Sequence, residues 1–412
     1  MKILVYALHY TMIAKNTGYI GGAWIRLSEF LKRADKFNLE YVLVEPYPKL
    51  GNNYESIKAA NIRSHKRVGD TALMILYATI KGIRRALKGD VDLILNPIDA
   101  PFGTIPAFIT SLMTGIPFTV VVHNTPVFHN LIEKYPRKRF SSSLRGVYGA
   151  VRYFKHKGRP IQYAIISTLF NYVVFKILKT TTIIGLGSGV TYLRSVDKNL
   201  RVKEVFPANS IPSSVSTTSK KRVTKCYDAI YIGSFTVEKG VTEAIKAWKH
   251  VVNWNQSLRL ALIGRVKSEK MVDTIKSLIT ECGLEDNVHI LCDPMIGAST
   301  EDVLKNMKKS KIMLLPSIIE AWSFTIGEAL SFGLPVVAYD IQAFYKSYPD
   351  CKALIRVPIG NTHQLYIEIR KLLENPSELK VASQEALRYM ENYYTWDQVI
   401  AAEKNLYKSI CC

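Results

Sequence analysis

The first half of the sequence contains few acidic residues. Residues 1–224 hold 33 Lys and Arg against 12 Asp and Glu, whereas residues 225–412 hold 22 of each kind. The formal net charge of +21 therefore lies entirely in the first half. This asymmetry predicts that one half of the chain faces a polyanion, such as an anionic lipid surface, a nucleic acid or a phosphorylated substrate. The extreme case is residues 129–180, with 11 basic residues and a single acid, Glu133.

Cysteine is also scarce, at six residues in 412, and no C-x-x-C spacing occurs. A disulfide framework and a zinc ribbon are therefore excluded, and a reducing compartment is expected. Ordinary Gly and Pro contents with 48% hydrophobic residues exclude disorder, collagen and coiled coil. The length predicts two or three domains. The start, Met1–Tyr6, predicts a strand and shows no signal-peptide pattern.

The sequence has no long apolar run free of interruptions. Ala100–Val122 carries no charge but contains three prolines and two glycines. It predicts a helix over about 104–114, a stop at Gly115 and a buried strand over Pro117–Val122, in preference to a membrane span. Ile161–Leu178 carries Gln162, Asn171 and Lys176 and predicts an amphipathic or buried helix, in preference to a membrane span.

Short apolar runs alternate with helical patterns along the whole chain. The runs that predict strands are 2–6, 41–45, 91–96, 118–122, 181–185, 202–207, 229–233, 258–264, 287–291, 311–316, 335–339 and 353–357. The patterns that predict helices are 22–34, 70–88, 103–114, 187–196, 239–253, 268–282, 300–309, 325–332, 361–374 and 376–410. Strands that alternate with helices indicate βαβ units and parallel sheets.

A polar, Ser- and Thr-rich stretch interrupts this alternation and predicts a linker over 212–226. The expected organisation is an N-terminal, basic Rossmann-like domain over 1–211 and a C-terminal Rossmann-like domain over 227–390. A C-terminal helix over 391–412 follows, for which a return to the N-terminal domain is one option. Ligands of open parallel sheets bind beyond the carboxyl ends of the strands, so the expected site is a cleft between two facing domains.

The most informative segment, residues 316–338, has the sequence P-S-I-I-E-A-W-S-F-T-I-G-E-A-L-S-F-G-L-P-V-V-A. A strand ends at Pro316, a loop carries Glu320, and a helix that begins near Ser323–Thr325 carries Glu328 and stops at Gly333. The free backbone N–H groups of a helix N-terminus bind phosphate. Carboxylates accept hydrogen bonds from sugar hydroxyls. One loop can therefore bind both ends of a sugar nucleotide.

This motif resembles the donor site of retaining glycosyltransferases of family 4, which have the GT-B fold, and whose hallmark is two Glu separated by seven residues. The resemblance implies an α/β, GT-B architecture of two Rossmann-like domains that face each other across a cleft. The N-terminal domain (1–211) would bind the acceptor, and the C-terminal domain (227–390) would bind the nucleotide sugar. It implies that Glu328 holds the ribose and that Glu320 orients the donor sugar. Ser323, Phe324 and Thr325 would form the donor-binding helix start.

A second stretch resembles the same family. In residues 233–240 the resemblance implies that Lys239 binds the donor diphosphate, a task suited to a flexible point charge. The family usually has Arg directly after the first glycine, where this sequence has Ser234. Arg265 follows a neighbouring predicted strand, and we hypothesise that it replaces the missing charge.

The N-terminal half resembles the family more loosely. Gly21 and Gly22 precede a predicted helix, as in the family's Gly-Gly loop that closes over the phosphate and acceptor. Glycines permit close backbone approach. His123 ends a predicted strand at the place where the family often has a His that faces the transferred sugar.

The resemblance implies a retaining hexosyltransferase that moves a sugar from a nucleotide-sugar donor to an acceptor. It implies neither a cofactor nor a metal ion: Lys239, the helix start and the Gly21–Gly22 loop would stabilise the leaving diphosphate.

The basic half suggests the acceptor. Basic residues interleaved with aromatic residues within 129–180 suit an anionic membrane surface. We therefore expect a cytoplasmic enzyme, peripheral at the inner face of the membrane, that acts on a lipid-linked or saccharide acceptor in glycan or glycolipid assembly.

Three alternatives stay open at this point. The chain could be a non-catalytic GT-B protein that binds a nucleotide sugar or a partner, an idea motivated by Ser234. It could be a sugar-nucleotide epimerase of the same fold. The basic half could also bind nucleic acid, although no RNA-binding motif is present and no nucleic-acid partner is expected.

Overall fold

The structure is a computed structural model of the 412-residue chain. It describes residues 1–8, 22–45, 54–58, 68–98, 101–123, 173–174, 176–211, 215, 223–266, 269–318, 320 and 322–411. The chain divides into two compact units. The first is formed by residues 1–16, 20–208 and 397–412, and the second by 17–19 and 209–396.

The first unit is built on a seven-stranded parallel sheet with the strand order β3-β2-β1-β4-β5-β6-β7. Its strands are β1 (Lys2–Tyr6), β2 (Glu40–Glu45), β3 (Glu55–Lys58), β4 (Leu93–Asn96), β5 (Phe118–Val122), β6 (Thr182–Gly185) and β7 (Val202–Glu204). Its helices include α1 (Gly22–Lys32), α2 (Val68–Ala86), α3 (Pro101–Thr114) and α4 (Ser188–Val196). The central strands are buried along their whole length, as expected of a sheet covered on both faces.

The second unit has a six-stranded parallel sheet with the strand order β10-β9-β8-β11-β12-β13. Its strands are β8 (Tyr227–Ile232), β9 (Leu260–Ile263), β10 (Val288–Ile290), β11 (Ser310–Leu315), β12 (Val336–Tyr339) and β13 (Leu354–Val357). Its helices are α5 (Val241–Trp254), α6 (Glu269–Glu281), α7 (Thr300–Lys308), α8 (Phe324–Ser331), α9 (Gln342–Ser347), α10 (Thr362–Glu374) and α11 (Pro376–Glu391).

Both sheets reverse their strand order at the first strand of the unit. β1 pairs with β2 on one side and β4 on the other, and β8 lies between β9 and β11 in the same way. Such a reversal opens a crevice at the carboxyl ends of the two central strands, where doubly wound sheets bind their ligands. In the second unit this point lies beyond β8 and β11.

The last helix, α12 (Trp396–Cys411), belongs to the first unit from Asp397 onward. Glu403 on α12 forms a buried ion pair with Arg26 on α1. The hydroxyl of Tyr407 donates to Glu403 Oε1 at 2.5 Å, and Arg26 Nε donates to the carbonyl of Ala208 at 3.1 Å. These polar groups are buried and satisfy one another, so they hold the end of the chain in the first unit.

The predicted fold class is confirmed, because two parallel α/β sheets are present. Ala100–Val122 forms α3 and β5, separated by Gly115 in the left-handed region at φ +71°. Among the described residues, no helix is both long and apolar enough to cross a membrane. The sequence analysis missed β3 and α9, and it joined α11 and α12 into one helix. Of the predicted linker, only residues 215 and 223–226 are described.

Candidate functional site

The candidate site lies where two adjacent strands of the second unit end. β8 and β11 are parallel neighbours, with Tyr231 opposite Leu314. Because parallel strands end at the same edge of the sheet, the loop after β8 (233–240) and the loop after β11 (316–323) leave the sheet side by side. This edge is the strand-order reversal of the unit, which is the expected position of a ligand site.

Backbone contacts join these two loops. The N–H of Ile318 and the hydroxyl of Ser317 both donate to the carbonyl of Glu238, at 3.0 and 3.3 Å. Gly240 lies in the left-handed region at φ +73°, and a Cβ there would stand 1.9 Å from the carbonyl oxygen of Pro316. Only glycine permits both the backbone angle and this close approach. These contacts therefore hold the two loops together, and we refer to 233–240 and 316–323 as the tied loops.

Two charged residues of these loops, Lys239 and Glu320, contact each other. Lys239 Nζ lies 2.7 Å from Glu320 Oε1, and the two side chains are 31% and 11% exposed. The sequence analysis assigned these residues to different parts of a donor and did not foresee their pairing. The pair brings a cation and a carboxylate to one point that solvent still reaches, so a ligand can contact both.

A buried tyrosine supports the loop that carries Lys239. The hydroxyl of Tyr231, on β8, lies 3.1 Å from the carbonyls of both Ser234 and Lys239. A Cβ on Gly233 would stand 3.1 Å from the same hydroxyl. Burial and the nearby charge of Glu320 raise the pKa of Tyr231 well above its usual value, so it stays protonated as a donor. The sequence analysis did not single out this residue.

Arg265 follows the neighbouring strand, β9, and lies next to the same loop. Its carbonyl accepts a hydrogen bond from the N–H of Phe235 at 2.9 Å. Its Nε is buried and, within the part of the chain that the structure describes, has no hydrogen-bond partner. Gly297 packs against the side chain, where a Cβ would stand 3.6 Å from Arg265 Cβ. The structure thus places the backbone of Arg265 beside the turn that carries Ser234, and it leaves one guanidinium donor of Arg265 unsatisfied.

The side chain of Tyr348 forms hydrogen bonds with the backbone at the start of helix α8. Ser323 caps the helix without a side-chain hydrogen bond, and Phe324 and Thr325 are the first two helical residues. The hydroxyl of Tyr348 donates to the carbonyl of Ser323 and accepts from the N–H of Gly327 at 3.0 Å. It therefore bridges the position of the first intrahelical hydrogen bond. The N-terminal N–H groups of α8 keep their tendency to attract an anion.

Glu328 projects from the second turn of α8. Burial raises the pKa of its carboxyl to about 7. Among the described residues it has no ion-pair or hydrogen-bond partner for this carboxyl. A carboxyl without a partner in a largely dehydrated position is suited to accept hydrogen bonds from the hydroxyls of a ligand.

The remaining predicted site residues belong to the first unit. Gly21 lies outside the described residues, and Gly22 is the first residue of α1. His123 follows β5, and its Nε2 lies 3.1 Å from the carbonyl of Pro97. Burial, with a smaller effect of the Arg26 charge, lowers the pKa of His123 to about 3. The ring is therefore neutral at pH 7, and Nε2 donates to Pro97.

Comparison with solved structures identifies the fold to which this architecture belongs. Sucrose-phosphate synthase from Thermosynechococcus elongatus is similar to this chain, with a TM-score of 0.69 at 14% sequence identity. The similarity covers 100% of this chain and 99% of the synthase chain. HepE from Anabaena, solved in complex with UDP-glucose, gives a TM-score of 0.67 at 14% identity, over 99% of this chain and 100% of its own. The protein therefore has the GT-B fold, as the sequence resemblance implied.

A family match covers a part of the chain that contains the tied loops. Residues 217–389 match the family model described as "Glycosyl transferases group 1". This match confirms the resemblance found in residues 316–338. An uncharacterized glycosyltransferase of Haemophilus influenzae is 23% identical over 209 residues. That alignment spans 50% of this chain and 57% of the relative, so it covers little more than half of the relative's length.

Proposed function

We propose that this protein is a retaining glycosyltransferase that moves a hexose from a nucleotide-sugar donor to an acceptor. The observation that carries the proposal is the contact between Lys239 and Glu320 at the strand-order reversal of the second unit, within the residues that match the glycosyl transferases group 1 model. The complex of the structurally similar HepE with UDP-glucose supports a nucleotide sugar as the donor.

Each end of the donor has a matching group in the second unit. The unpartnered Glu328 carboxyl would accept hydrogen bonds from the ribose hydroxyls, and the Glu320 carboxylate would orient the hydroxyls of the sugar. Lys239 and the N-terminus of α8 would bind the diphosphate. Because negative charge builds up on the diphosphate as the sugar leaves, these positive groups lower the barrier more than they strengthen donor binding.

Arg265 would supply the phosphate-binding charge that Ser234 lacks. Its buried, unsatisfied Nε and the hydrogen bond from the Phe235 N–H to its carbonyl support this assignment, since a buried guanidinium donor gains most from an anionic partner. With two cations and a helix N-terminus at the leaving group, we propose catalysis that needs neither a metal ion nor a cofactor.

In the first unit, we propose that Gly21, Gly22 and His123 face the phosphate, the acceptor and the transferred sugar. Since Nε2 of His123 is engaged by Pro97, the free Nδ1 or the backbone carbonyl would make the contact. The acceptor would be lipid-linked or a saccharide at an anionic membrane surface, which places the enzyme in the cytoplasm at the inner face of the membrane. Most of 129–180, the segment predicted to bind this surface, lies outside the described residues.

A panel of nucleotide sugars in a thermal-shift assay tests the proposal. One nucleotide sugar should raise the melting temperature, and its transfer to an acceptor should retain the anomeric configuration, as read by NMR of the product. The variants Glu320→Ala and Lys239→Ala should each lower turnover about 100-fold or more. The control Lys246→Ala, which breaks an exposed pair with Glu243, should leave turnover unchanged. Near-normal turnover in either site variant would refute these roles.

The Ser234 substitution favours one alternative, a nucleotide-sugar-binding protein without catalysis. In that case the thermal shift would be seen and no transfer to any acceptor would follow. An epimerase of the same fold would convert the free nucleotide sugar in the absence of an acceptor. The same assay therefore distinguishes the three activities.

A further inference from the structure

Helix α2 of the first unit has an apolar outer face. Its inner face is buried and includes Met74, Ala78 and Ala86. The large apolar side chains exposed on and just after the helix are Leu73, Leu76, Tyr77, Ile80 and Leu87. They recur every three or four residues, so they form one stripe on the side of α2 that faces away from the sheet. Leu76 is 54% exposed and Leu87 is 68% exposed.

Helix α3 lies beside α2 and extends this apolar surface. The two helices touch at Gly82, where a Cβ would stand 3.3 Å from Thr110 Oγ1. They precede and follow β4 in a parallel sheet, so they run in the same direction and their C-terminal ends lie at the same edge. Near that end of α3, Leu112 and Met113 are 67% and 66% exposed, and Ile109 is also exposed.

The charges that accompany this surface are mostly positive. Residues 68–88 contain Lys81, Arg84, Arg85 and Lys88 against one acid, Asp70 in the first turn of α2, and α3 has no charged residue. Arg85 is buried and paired with Glu55 and Asp90. The other three basic residues lie among or beside the exposed apolar positions.

An apolar stripe bordered mainly by cations fits an anionic bilayer, where apolar side chains enter the interface and basic side chains contact the headgroups. A second copy of this chain fits poorly, because a two-fold interface would bring the same cations of both copies together. We infer that this α2–α3 face, defined by Leu73, Leu76, Tyr77, Ile80, Leu87, Ile109, Leu112 and Met113, is the surface with which the first unit lies on an anionic membrane. The inference rests on the proposed peripheral-membrane function and names its surface.

Flotation of the full-length protein with phosphatidylcholine vesicles, with and without phosphatidylglycerol, tests the inference. The variant Leu76→Asp/Leu112→Asp should bind phosphatidylglycerol vesicles at least about tenfold more weakly than the unmodified protein. The matched control Ile359→Asp/Val381→Asp changes residues of the second unit that are 56% and 59% exposed, and it should bind normally.

A charge variant separates the contribution of the basic side chains to vesicle binding from that of the apolar side chains. Lys81→Glu/Arg84→Glu/Lys88→Glu should also lose at least about tenfold in binding, whereas the control Lys270→Glu/Lys276→Glu/Lys380→Glu, with the same change in net charge, should lose much less. Binding by the α2–α3 variants equal to that of their controls would overturn the inference. So would a failure of the unmodified protein to bind these vesicles.

Two further readouts keep the interpretations apart. Light scattering of the same variants would reveal a second copy as the true occupant, if Leu76→Asp/Leu112→Asp changed the oligomeric state; that result would overturn the inference. The thermal shift with the nucleotide sugar is measured in parallel, because the α2–α3 variants leave the donor residues intact. Loss of vesicle binding with a normal donor shift is the expected result. A protein that binds vesicles through this face but binds no nucleotide sugar would refute the proposed transferase alone.

Discussion

The two units each contain an ion pair between distant residues, and the two pairs differ in their surroundings. In the first unit, Arg26 and Glu403 are 6% and 0% exposed, and Tyr407 and the Ala208 carbonyl satisfy their remaining hydrogen bonds. In the second unit, Lys239 and Glu320 remain partly open to solvent at the end of a sheet. A closed, satisfied pair has no room for a ligand, whereas an open pair at a strand-order reversal does. Complete burial and satisfied hydrogen bonds thus distinguish a structural ion pair from a candidate functional ion pair.

Breaking the closed Arg26–Glu403 pair should have the largest effect on stability. Glu403→Gln leaves the Arg26 guanidinium buried without a counter-charge, so we expect a loss of about 3–5 kcal/mol in the free energy of unfolding. Urea unfolding followed by circular dichroism measures this loss.

The matched control replaces both partners. Arg26→Met/Glu403→Met removes both charges while it keeps the side-chain volume, and it should recover most of the stability lost in the single variant. If Glu403→Gln were as stable as the unmodified protein, the closed pair would not hold α12 in place.

A substitution at the contact between the tied loops, beside the open Lys239–Glu320 pair, should have the next largest effect on stability. Gly240→Ala must accommodate a left-handed backbone and a Cβ that overlaps the Pro316 carbonyl, so we expect a loss of about 2–4 kcal/mol together with lower donor binding. Gly360 has a similar φ of +79° and nothing within 4 Å of its Cβ position. Gly360→Ala should therefore lose only about 1 kcal/mol, and the difference between the two variants, read by thermal unfolding, reports the close approach. Equal losses would mean that the loop contact contributes nothing.

Arg265 tests whether the charge at the open pair extends beyond Lys239. Arg265→Ala should weaken nucleotide-sugar binding about 10- to 100-fold, because it removes a charge-assisted contact to the diphosphate. Calorimetry of donor binding provides the measurement, and the exposed Arg259→Ala is the control. Unchanged donor affinity in Arg265→Ala would show that Ser234 is not compensated from β9.

The sequence predicted most strands to within two residues, because buried parallel strands are continuous apolar runs such as Phe118–Val122. It missed β3 (Glu55–Lys58), whose residues are mostly polar, and α9, which is too short to show a helical period. The motif of residues 316–338 singled out Glu320 and Glu328, and the stretch 233–240 singled out Lys239; their roles stay predictions. The roles of Tyr231 and Tyr348 depend on contacts between distant segments, which local patterns do not contain. The pairing of Lys239 with Glu320 was hidden for the same reason, since it requires that β8 and β11 be neighbours.

Glu328 should give the smallest effect, and it depends on pH. Its folded-state pKa of about 7 lies above the value of 4.5 expected of an exposed Glu, so the folded protein holds a proton that the unfolded chain releases between these values. The free energy of unfolding should therefore fall as the pH rises from about 4.5 to 7. Glu328→Gln should remove this part of the fall and be more stable above pH 7 by about 1–2 kcal/mol, since part of the side chain reaches solvent. Unfolding curves at pH 4.5 and 8 compare the two proteins, and parallel pH profiles would contradict the raised pKa.

The return of α12 to the first unit has a consequence for biosynthesis. As the nascent chain leaves the ribosome, Arg26 emerges long before Glu403, so the first unit must wait for the second to be translated before its own charge is neutralised. The second unit, by contrast, emerges almost entirely as one continuous segment. We therefore expect the later-made unit to reach its native state first, with the earlier-made unit completed only after α12 has been translated.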